Sequence, residues 1–319
     1  MNHVLGIDIA KLDFHVALMV GDKFYCKKFG NSSTGFKKLK LWLKAKDIEC
    51  LHACMEATGR YGLKLARWLC GQGNKVSVVN PAKIKGFAQS QLSRSKTDEH
   101  DAKLIARYCS VLNPEAWKPM DDEVQELREW VDRRHDVKQI ILQEKNRLEL
   151  QDNTGIIASI QNIISLLSQE LLEIEKIIAK ILEQKPSLKA KNALLTSVPG
   201  IGKITSATVL AYLAPERFKS AKQMSAFIGL NPRQHVSGSS VRGRTRLSKT
   251  GNPFLRRSFY MPALTALKYN QPIKKFAKRL AENGKSKMVV IGAVMRKLSH
   301  IIYGILKSGQ AFNPAMTTL

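Results

Sequence analysis

The chain has 319 residues, 44% of them hydrophobic, which is enough length and apolar content for two domains with real cores and argues against a disordered protein. Its 52 Lys and Arg against 26 Asp and Glu give a formal net charge of +26, and an excess of this size indicates a polyanionic partner, nucleic acid above all. The five cysteines include no CxxC pair and no histidine at zinc-finger spacing, so neither a disulfide framework nor a structural zinc is indicated.

The N-terminus runs directly into a strand-like segment, GIDIA, without the basic and apolar regions of a signal peptide. No stretch approaches the about 18 unbroken apolar residues that a membrane span needs. We therefore expect no membrane partner and a reducing, cytoplasmic location.

Residues 1–113 alternate short strand patterns with helical patterns. Three strands joined by tight connections come first, and the later strands alternate with amphipathic helices, as in β-α-β crossovers. This order predicts a mixed α/β domain. The predicted strands are 4–9, 14–19, 23–29, 50–56 and 75–79, and the predicted helices are 32–46, 62–72, 81–90 and 98–112.

Four carboxylates stand out in this domain. Asp8 lies inside an otherwise apolar strand, where an unpaired buried carboxylate is costly, so it is either exposed at a strand end or bound to a cation. Glu56 closes another apolar strand, while Asp98 and Asp101 are three residues apart and share one face of a helix. Brought together, these four groups would hold two divalent metal ions, and their hard oxygen ligands suit Mg²⁺.

Each acid also has an ordinary structural explanation, and the residues alone leave both explanations open. Asp98 is placed to cap a helix or to lie in its first turn, and Asp101 is placed to pair with Lys103 or Arg94. Glu56 would then form a salt bridge at the end of its strand.

Residues 114–184 form a middle segment that begins with a linker containing two prolines and continues as long helices. Apolar residues recur there at alternating steps of four and three, which is the seam of a coiled coil. We interpret the segment as a helical hairpin or coiled coil that supports oligomerisation, with a core helix of a monomer as the alternative. The seam consists of Ile160, Ile164, Leu167, Leu171, Ile174, Ile178 and Ile181.

Residues 185–319 open with PGIG at 199–202, between two helical patterns, in the form of a helix-hairpin-helix element. Gly200, Gly202 and Lys203 are placed to bring backbone N–H groups to a phosphate at the start of the second helix, where the helix dipole favours an anion. A helical hairpin that merely packs is the alternative.

The same region carries 24 Lys and Arg against only two acids, Glu216 and Glu282. Solvated faces normally mix both signs of charge, so this imbalance favours contact with phosphates. Its densest stretch, HVSGSSVRGRTRLSKTGNPFLRR at 235–257, sets four small residues before a series of cations. The cations that we predict to bind nucleic acid are Arg242, Arg244, Arg246, Lys249, Arg256 and Arg257.

Eight motifs spread in order along the chain closely resemble those of the bridge-RNA-guided DEDD insertion-sequence transposases. The likeness covers nearly the whole chain. The motifs are GIDIAK at 6–11, EATGRYG at 56–62, NPAKIKGFAQS at 80–90, KTDEHDAKLIARY at 96–108, SVPGIGKITSA at 197–207, FIGLNPRQHVSGSSVRG at 227–243, SKTGNPFLRRSFYMPA at 248–263 and MRKLSHIIYGILKSG at 295–309.

The resemblance implies an α/β domain of the RuvC-like (RNase H-like) type over 1–113, helical coiled-coil segments over 114–184, and a mainly helical transposase domain over 185–319. The family's DEDD tetrad falls on Asp8, Glu56, Asp98 and Asp101, and its catalytic serine falls on Ser237. It further implies Mg²⁺, two ions in a site, with donor and target DNA and an element-encoded noncoding guide RNA as partners. A dimer or tetramer with composite active sites, associated with the bacterial nucleoid when it acts on DNA, is also implied.

Two rival functions remain open on the sequence. A junction-resolving nuclease would use the four carboxylates alone and would not need Ser237 for cleavage. A structural nucleic-acid-binding protein would need neither group.

Overall fold

A computed structural model describes residues 3–57, 59, 61–91, 97–237 and 241–316, with backbone alone for 234–237, 241–246 and 316. The chain divides into two compact units, Met1–Pro119 and Met120–Leu319. The first contains the predicted α/β elements, and the second contains both the predicted middle helices and the basic region.

In its described part, the first unit is built on a five-stranded sheet of order β3-β2-β1-β4-β5. The first three strands are antiparallel neighbours, and β4 and β5 add to β1 in parallel. This is the mixed α/β arrangement that the sequence predicts. The strands are β1 (Val4–Ile9), β2 (Asp13–Val20), β3 (Lys23–Gly30), β4 (His52–Glu56) and β5 (Lys75–Val79).

Three of the four described helices of this unit begin at side-chain caps that the sequence supplies. Ser32, Asn80 and Thr97 accept a hydrogen bond from a backbone N–H of the first turn of α1, α3 and α4. Apolar side chains such as Phe14 and Leu69 fill the core between sheet and helices, and burial of each such side chain stabilises the fold by about 1.5–3 kcal/mol. The helices are α1 (Ser33–Lys44), α2 (Leu63–Gly71), α3 (Pro81–Ser90) and α4 (Asp98–Leu112).

The second unit is mainly helical and begins with two long helices, α5 (Asp122–Leu148) and α6 (Thr154–Gln184), which pack against each other. The remaining helices and strands of the unit are α7 (Pro186–Thr196), α8 (Lys203–Tyr212), α9 (Ala221–Ile228), β6 (Pro232–Ser237), β7 (Val241–Leu247), α10 (Pro253–Ser258), α11 (Tyr260–Tyr269), α12 (Gln271–Glu282) and α13 (Lys287–Ser308). Apolar residues of α13 lie in the core, where α7, α9, α11 and α12 pack against this helix.

The predicted coiled-coil seam lies on α6, and its C-terminal part is buried within the chain. Ile174, Ile178 and Ile181 belong to the same core cluster as Leu127 and Val131 of α5, so the two helices form the predicted hairpin. Towards the N-terminal end of α6 other apolar residues are exposed, among them Ile156, Ile163 and Leu166.

Two helices are long and apolar enough to cross a membrane by length and composition, a signal that core helices also give. In α13 the apolar window is 56% buried in the unit, as in a core helix, whereas in α6 it is 6% buried. The exposed apolar residues of α6, among them Ile163 and Leu166, lie beside the predicted seam and are not part of it, since the seam residues themselves are buried or half-buried.

Residues 232–237 and 241–247 form a feature that the sequence analysis did not predict. They pair as antiparallel strands, β6 with β7, with Pro232 opposite Leu247 at one end and Ser237 opposite Val241 at the other. In the sequence of β7, arginine alternates with smaller residues, which is compatible with the period of a strand.

Candidate active site

Asp8 and Glu56 lie at the same edge of the sheet because their strands are parallel neighbours. The register pairs Ile7 of β1 with Met55 of β4, so the next residue of each strand, Asp8 and Glu56, points to the opposite face from that pair. Neighbouring strands are about 4.8 Å apart. Both acids are partly exposed, which allows them to meet a ligand from solvent.

Helix α4 brings the other two acids to this edge, and Gly6 permits its close approach. A Cβ atom at Gly6 would lie 2.1 Å from the carbonyl oxygen of Ala102 and 2.3 Å from the backbone nitrogen of Ala106. With no side chain at Gly6, the backbone of α4 rests directly on β1. The first turn of α4, with Asp98 and Asp101, thereby lies beside Asp8.

The four acids influence one another's protonation. Burial and then the negative charges of Asp101, Asp98 and Glu56 raise the pKa of Asp8 to about 6, while His15 opposes the shift. Burial and the charge of Asp101 also raise the pKa of Glu56. Like charges concentrated in this way are unfavourable without a counter-charge.

The structure supports one of the ordinary explanations for these acids and not another. The cap of α4 is Thr97, and Asp98 is a first-turn acid as the alternative allowed. Lys103 pairs with Glu99, at 2.7 Å, instead of with Asp101. Arg94 lies outside the described residues.

His15 is a neighbour of the cluster that the sequence analysis did not single out. It stands directly opposite Asp8 in the β1–β2 register, and its Nδ1 is 3.5 Å from Oδ2 of Asp98. The sequence could have indicated this neighbour. The connection between the two predicted strands is short, and a hairpin that turns at residues 11 and 12 pairs position 8 with position 15.

The chemistry of the donor set fits a divalent cation of the Mg²⁺ class. Four carboxylates offer the hard oxygen ligands that such ions take, and their mutual repulsion disfavours the metal-free state. As the side chains stand, no three His, Cys, Asp or Glu groups of the described residues come close enough to form a complete ligand set. Metal binding therefore requires side-chain rotation of these acids.

In the second unit, the predicted nucleophile Ser237 is the last residue of β6. Its backbone pairs with that of Val241, which closes the hairpin at the motif SGSS. Residues 238–240 lie outside the described residues, as do the side chains of Ser237 and of the predicted phosphate ligands Arg242, Arg244 and Arg246.

Lys249, Arg256 and Arg257 follow the hairpin, and the structure gives them different surroundings. The guanidinium of Arg256 donates hydrogen bonds to the carbonyl oxygens of Lys249, at 3.2 Å, and Ile228, at 3.5 Å, so it fastens the chain after β7 to the end of α9. Lys249 and Arg257 are exposed. These two side chains are the ones available to a phosphate.

The PGIG turn joins α7 to α8 as predicted, but its two glycines differ. Gly200 has φ +109°, and a Cβ there would lie 2.8 Å from the carbonyl oxygen of Pro262, so close packing on α11 explains this glycine. Gly202 faces open space at the start of α8 and offers no side-chain cap, and Lys203 beside it is exposed. The N–H groups at Gly202 and Lys203 are thus open to an anion.

Comparison with known proteins gives matches to both units. Residues 5–151 match a family model of DEDD type described as "Transposase", and residues 192–278 match the model described as "Transposase IS116/IS110/IS902 family". A pilin gene-inverting protein of Moraxella bovis is 34% identical over 313 residues, covering 97% of each chain. The transposase for insertion sequence element IS1111A of Coxiella burnetii is 25% identical, covering 97% of this chain and 91% of that protein.

Proposed function

The chain belongs to the IS116/IS110/IS902 family of transposases, a family of DNA-modifying enzymes, and from this premise we propose that it exchanges DNA strands through a covalent serine intermediate with Mg²⁺ at its four carboxylates. The observation that carries the proposal is the close contact of α4 with β1 at Gly6, which brings Asp98 and Asp101 to Asp8 and Glu56. Burial and then the charges of Asp101, Asp98 and Glu56 raise the pKa of Asp8 to about 6. A cation relieves this repulsion.

Each group of the chain has a defined task in this proposal. Asp8, Glu56, Asp98 and Asp101 hold the metal in an RNase H-like domain, and the metal when bound stabilises negative charge on the reacting phosphate. His15, 3.5 Å from Asp98, holds that carboxylate in place at the edge of the site. We assign 1–113 to this domain, 114–184 to the helical segment and 185–319 to the domain that bonds DNA.

Ser237 supplies the nucleophile. Its Oγ forms a bond to phosphorus, the phosphodiester bond to one sugar oxygen breaks, and the serine proton passes to that oxygen as it leaves as a hydroxyl. The phosphoserine ester retains the free energy of the broken bond, so a DNA hydroxyl can reverse the step without ATP. Hydrolysis by water would lose that free energy.

The basic residues of the second unit position the DNA backbone. Arg242, Arg244 and Arg246 of β7 are close in sequence to Ser237, and guanidinium groups suit an oxyanion that develops on phosphorus. Lys249 and Arg257, which are exposed, extend this contact, as do the open N–H groups at Gly202 and Lys203. Arg256 supports them by holding Lys249 through its backbone.

We further propose that an element-encoded guide RNA selects the donor and target DNA, as the motif resemblance implies. The absence of a recognised base-reading element in the sequence, together with the cationic second unit, supports recognition of nucleic-acid shape and phosphates. Sequencing of RNA that copurifies with the protein tests this, and strand exchange that persists after RNase treatment would contradict it.

We also propose that the protein acts as a dimer or tetramer through the exposed apolar residues of α6. Ile163 is 43% and Leu166 is 67% exposed on a helix whose C-terminal half already has its partner in α5. Light scattering should show a smaller particle for the double variant Ile163→Glu/Leu166→Glu, and an unchanged mass would contradict this role.

The name of the Moraxella relatives indicates that a protein of this family inverts a pilin gene. Inversion and insertion differ in how the exchanged sites are arranged, while the bonds made and broken are the same. We therefore propose strand exchange as the chemistry and leave its biological outcome to the arrangement of the sites.

A strand-exchange assay with the serine variants tests the proposal. Ser237→Ala should abolish rejoined products. Ser239→Ala, from the same SGSS motif, should retain them if the first serine of the motif is the nucleophile. Asp8→Ala should abolish cleavage altogether. Cleavage that survives in Ser237→Ala would instead support a nuclease that uses the carboxylates alone, and cleavage that survives in Asp8→Ala would exclude both.

A further inference from the structure

A groove in the second unit lies at the base of the β6–β7 hairpin, between the hairpin and helices α12 and α13. Its volume is ≈ 690 Å³, within the range of about 300–1,000 Å³ that ligand sites occupy. Leu230, Leu247 and Val289 form an apolar surface, and Phe276 adds an aromatic ring. The groove is thus large enough for a nucleobase with part of its sugar.

Cations surround this apolar surface. Lys249 lies at the hairpin end, and Arg296 and Lys297 line the groove from α13, where His300 adds an imidazole. No acid is among its lining residues in the described part of the chain. Burial, and then the positive charges of Arg296, Lys297 and Lys222, lower the pKa of His300.

Two polar groups of the groove are unsatisfied within the chain. Nε of Arg296 and Nε2 of His300 are buried and have no hydrogen-bond partner among the described residues. A buried donor without a partner costs about 1–3 kcal/mol. Both atoms are closed to solvent, so a ligand in the groove reaches them only when these side chains turn toward it; acceptor atoms of a base or a phosphate would then relieve that cost.

An apolar groove with a cationic rim fits one class of ligand best. An aliphatic peptide or a second copy of the chain would cover the apolar surface but would leave the cations without counter-charge. Double-stranded DNA would meet the cations but would keep its bases stacked inside. A strand with unpaired bases satisfies both features, because a base enters the apolar surface while its phosphates meet the rim.

We propose that this groove binds an unpaired nucleotide of the DNA strand that reacts at Ser237. Ser237 lies five residues beyond Pro232, at the other end of β6, or about 17 Å away at ~3.3 Å per residue. This is the length of about five stacked nucleotides at ~3.4 Å each. The choice of DNA rests on the proposed function, whereas the preference for an unpaired base rests on the groove itself.

Met288 and Met261 provide a matched pair of variants to test this. Both are 64% exposed, and each is the second residue of its helix, α13 and α11 respectively. Only Met288 lines the groove. Met288→Glu and Met261→Glu therefore add the same charge at the same helical position, and thermal melting of both checks that the fold is retained.

The measurement is equilibrium binding of fluorescent oligothymidylate and of the same strand with abasic sites, in Ser237→Ala protein with chelator present. We expect oligothymidylate to bind about tenfold more tightly than the abasic strand, because a stacked base contributes about 1–3 kcal/mol. Met288→Glu should reduce this ratio to about one, and Met261→Glu should leave it unchanged. Val289→Glu, at a second groove position, should repeat the effect of Met288→Glu.

Three outcomes would overturn the proposal. Equal effects of the two methionine variants would mean that the groove is not used for a base. A base-dependent ratio seen with oligouridylate but not with oligothymidylate would assign the groove to RNA. Ultraviolet crosslinks from iododeoxyuridine that avoid residues 276 and 288–300 would place the base elsewhere. Since the assay needs neither Ser237 nor a metal, its failure is distinct from failure of the strand-exchange chemistry.

Discussion

At the scale of single residues, the electrostatics of the candidate site are clearest at Asp8, whose pKa is raised. Partial burial and then the charges of the three other carboxylates raise its pKa from 3.8 to about 6. Between these two values the folded protein binds more protons than the unfolded chain, so the free energy of unfolding falls as the pH rises through this window. Burial of Asp8 and its repulsion from the other acids thus destabilise the protein when no cation is bound.

Asp8→Asn should therefore raise the melting temperature of the protein in chelator at about pH 8, and the gain should shrink as the pH falls below about 6. With Mg²⁺ added, the wild-type protein should be stabilised and the variant should respond much less. Asp22→Asn, in the exposed turn after β2, removes the same charge as a control. A variant that melts lower in chelator, or that responds to Mg²⁺ as the wild type does, would contradict the metal assignment.

Two adjacent arginines distinguish a residue that stabilises the fold from one that we propose contacts DNA. Arg256 donates to the carbonyl oxygens of Lys249 and Ile228, whereas Arg257 is exposed. Arg256→Ala should lower the melting temperature, by the equivalent of about 1–3 kcal/mol.

Arg257→Ala should leave the melting temperature unchanged and reduce the slope of log affinity for DNA against log salt by about 0.9, the value for one phosphate contact. Melting curves and a salt titration of binding give both readouts. An unchanged salt slope in Arg257→Ala would remove Arg257 from the DNA contact.

At the scale of elements, the contact between β1 and α4 assembles the site. Gly6 is the residue that permits it, since the position of a Cβ there overlaps backbone atoms of Ala102 and Ala106. Backbone cannot move aside as a flexible side chain can. The approach of Asp98 and Asp101 to Asp8 thus depends on a residue with no chemistry of its own.

Gly6→Ala should lower the stability of the first unit by about 1–3 kcal/mol, because the added methyl group forces α4 away from the sheet. Stabilisation by Mg²⁺ should weaken as well. Gly86→Ala, on α3 where a Cβ meets open space, should instead be neutral or stabilising. Denaturant unfolding with and without Mg²⁺ measures both effects, and equal behaviour of the two variants would contradict the role of Gly6.

The elements of the first unit could be predicted from the sequence because apolar periodicity and caps agree there. Strand β5 and helix α4 have the predicted limits, and Thr97 marks the start of α4. The β6–β7 hairpin was not predicted, because the arginines of β7 alternate with residues of which only Val241 and Leu247 are apolar, so the signal in hydrophobicity is weak.

Parts of the site follow the same division. The four carboxylates were predictable as single residues, but the role of Gly6 in bringing α4 onto β1 depends on packing that only the fold reveals. The same holds for Gly200, which a local motif assigned to phosphate and which the structure packs against α11.

At the scale of the whole molecule, the balance of basic and acidic residues differs between three parts of the chain. Residues 1–120 carry 20 basic and 10 acidic side chains, residues 121–184 carry 8 and 14, and residues 185–319 carry 24 and 2. The helices α5 and α6 are thus the one segment with an excess of acids. This composition suits contacts between protein subunits better than contacts with DNA.

In the proposed reaction, a carboxylate site in one unit and a serine in the other act on one DNA strand. Mass spectrometry of the Ser237 peptide tests this most directly, after the protein is incubated with its flanking DNA and Mg²⁺ and then denatured. We expect a nucleotide adduct on Ser237 in the wild-type protein and none in Asp8→Asn. DNA cleavage that depends on Asp8 while Ser237 stays unmodified, even when turnover is slowed, would contradict it and would leave a nuclease that uses the carboxylates alone.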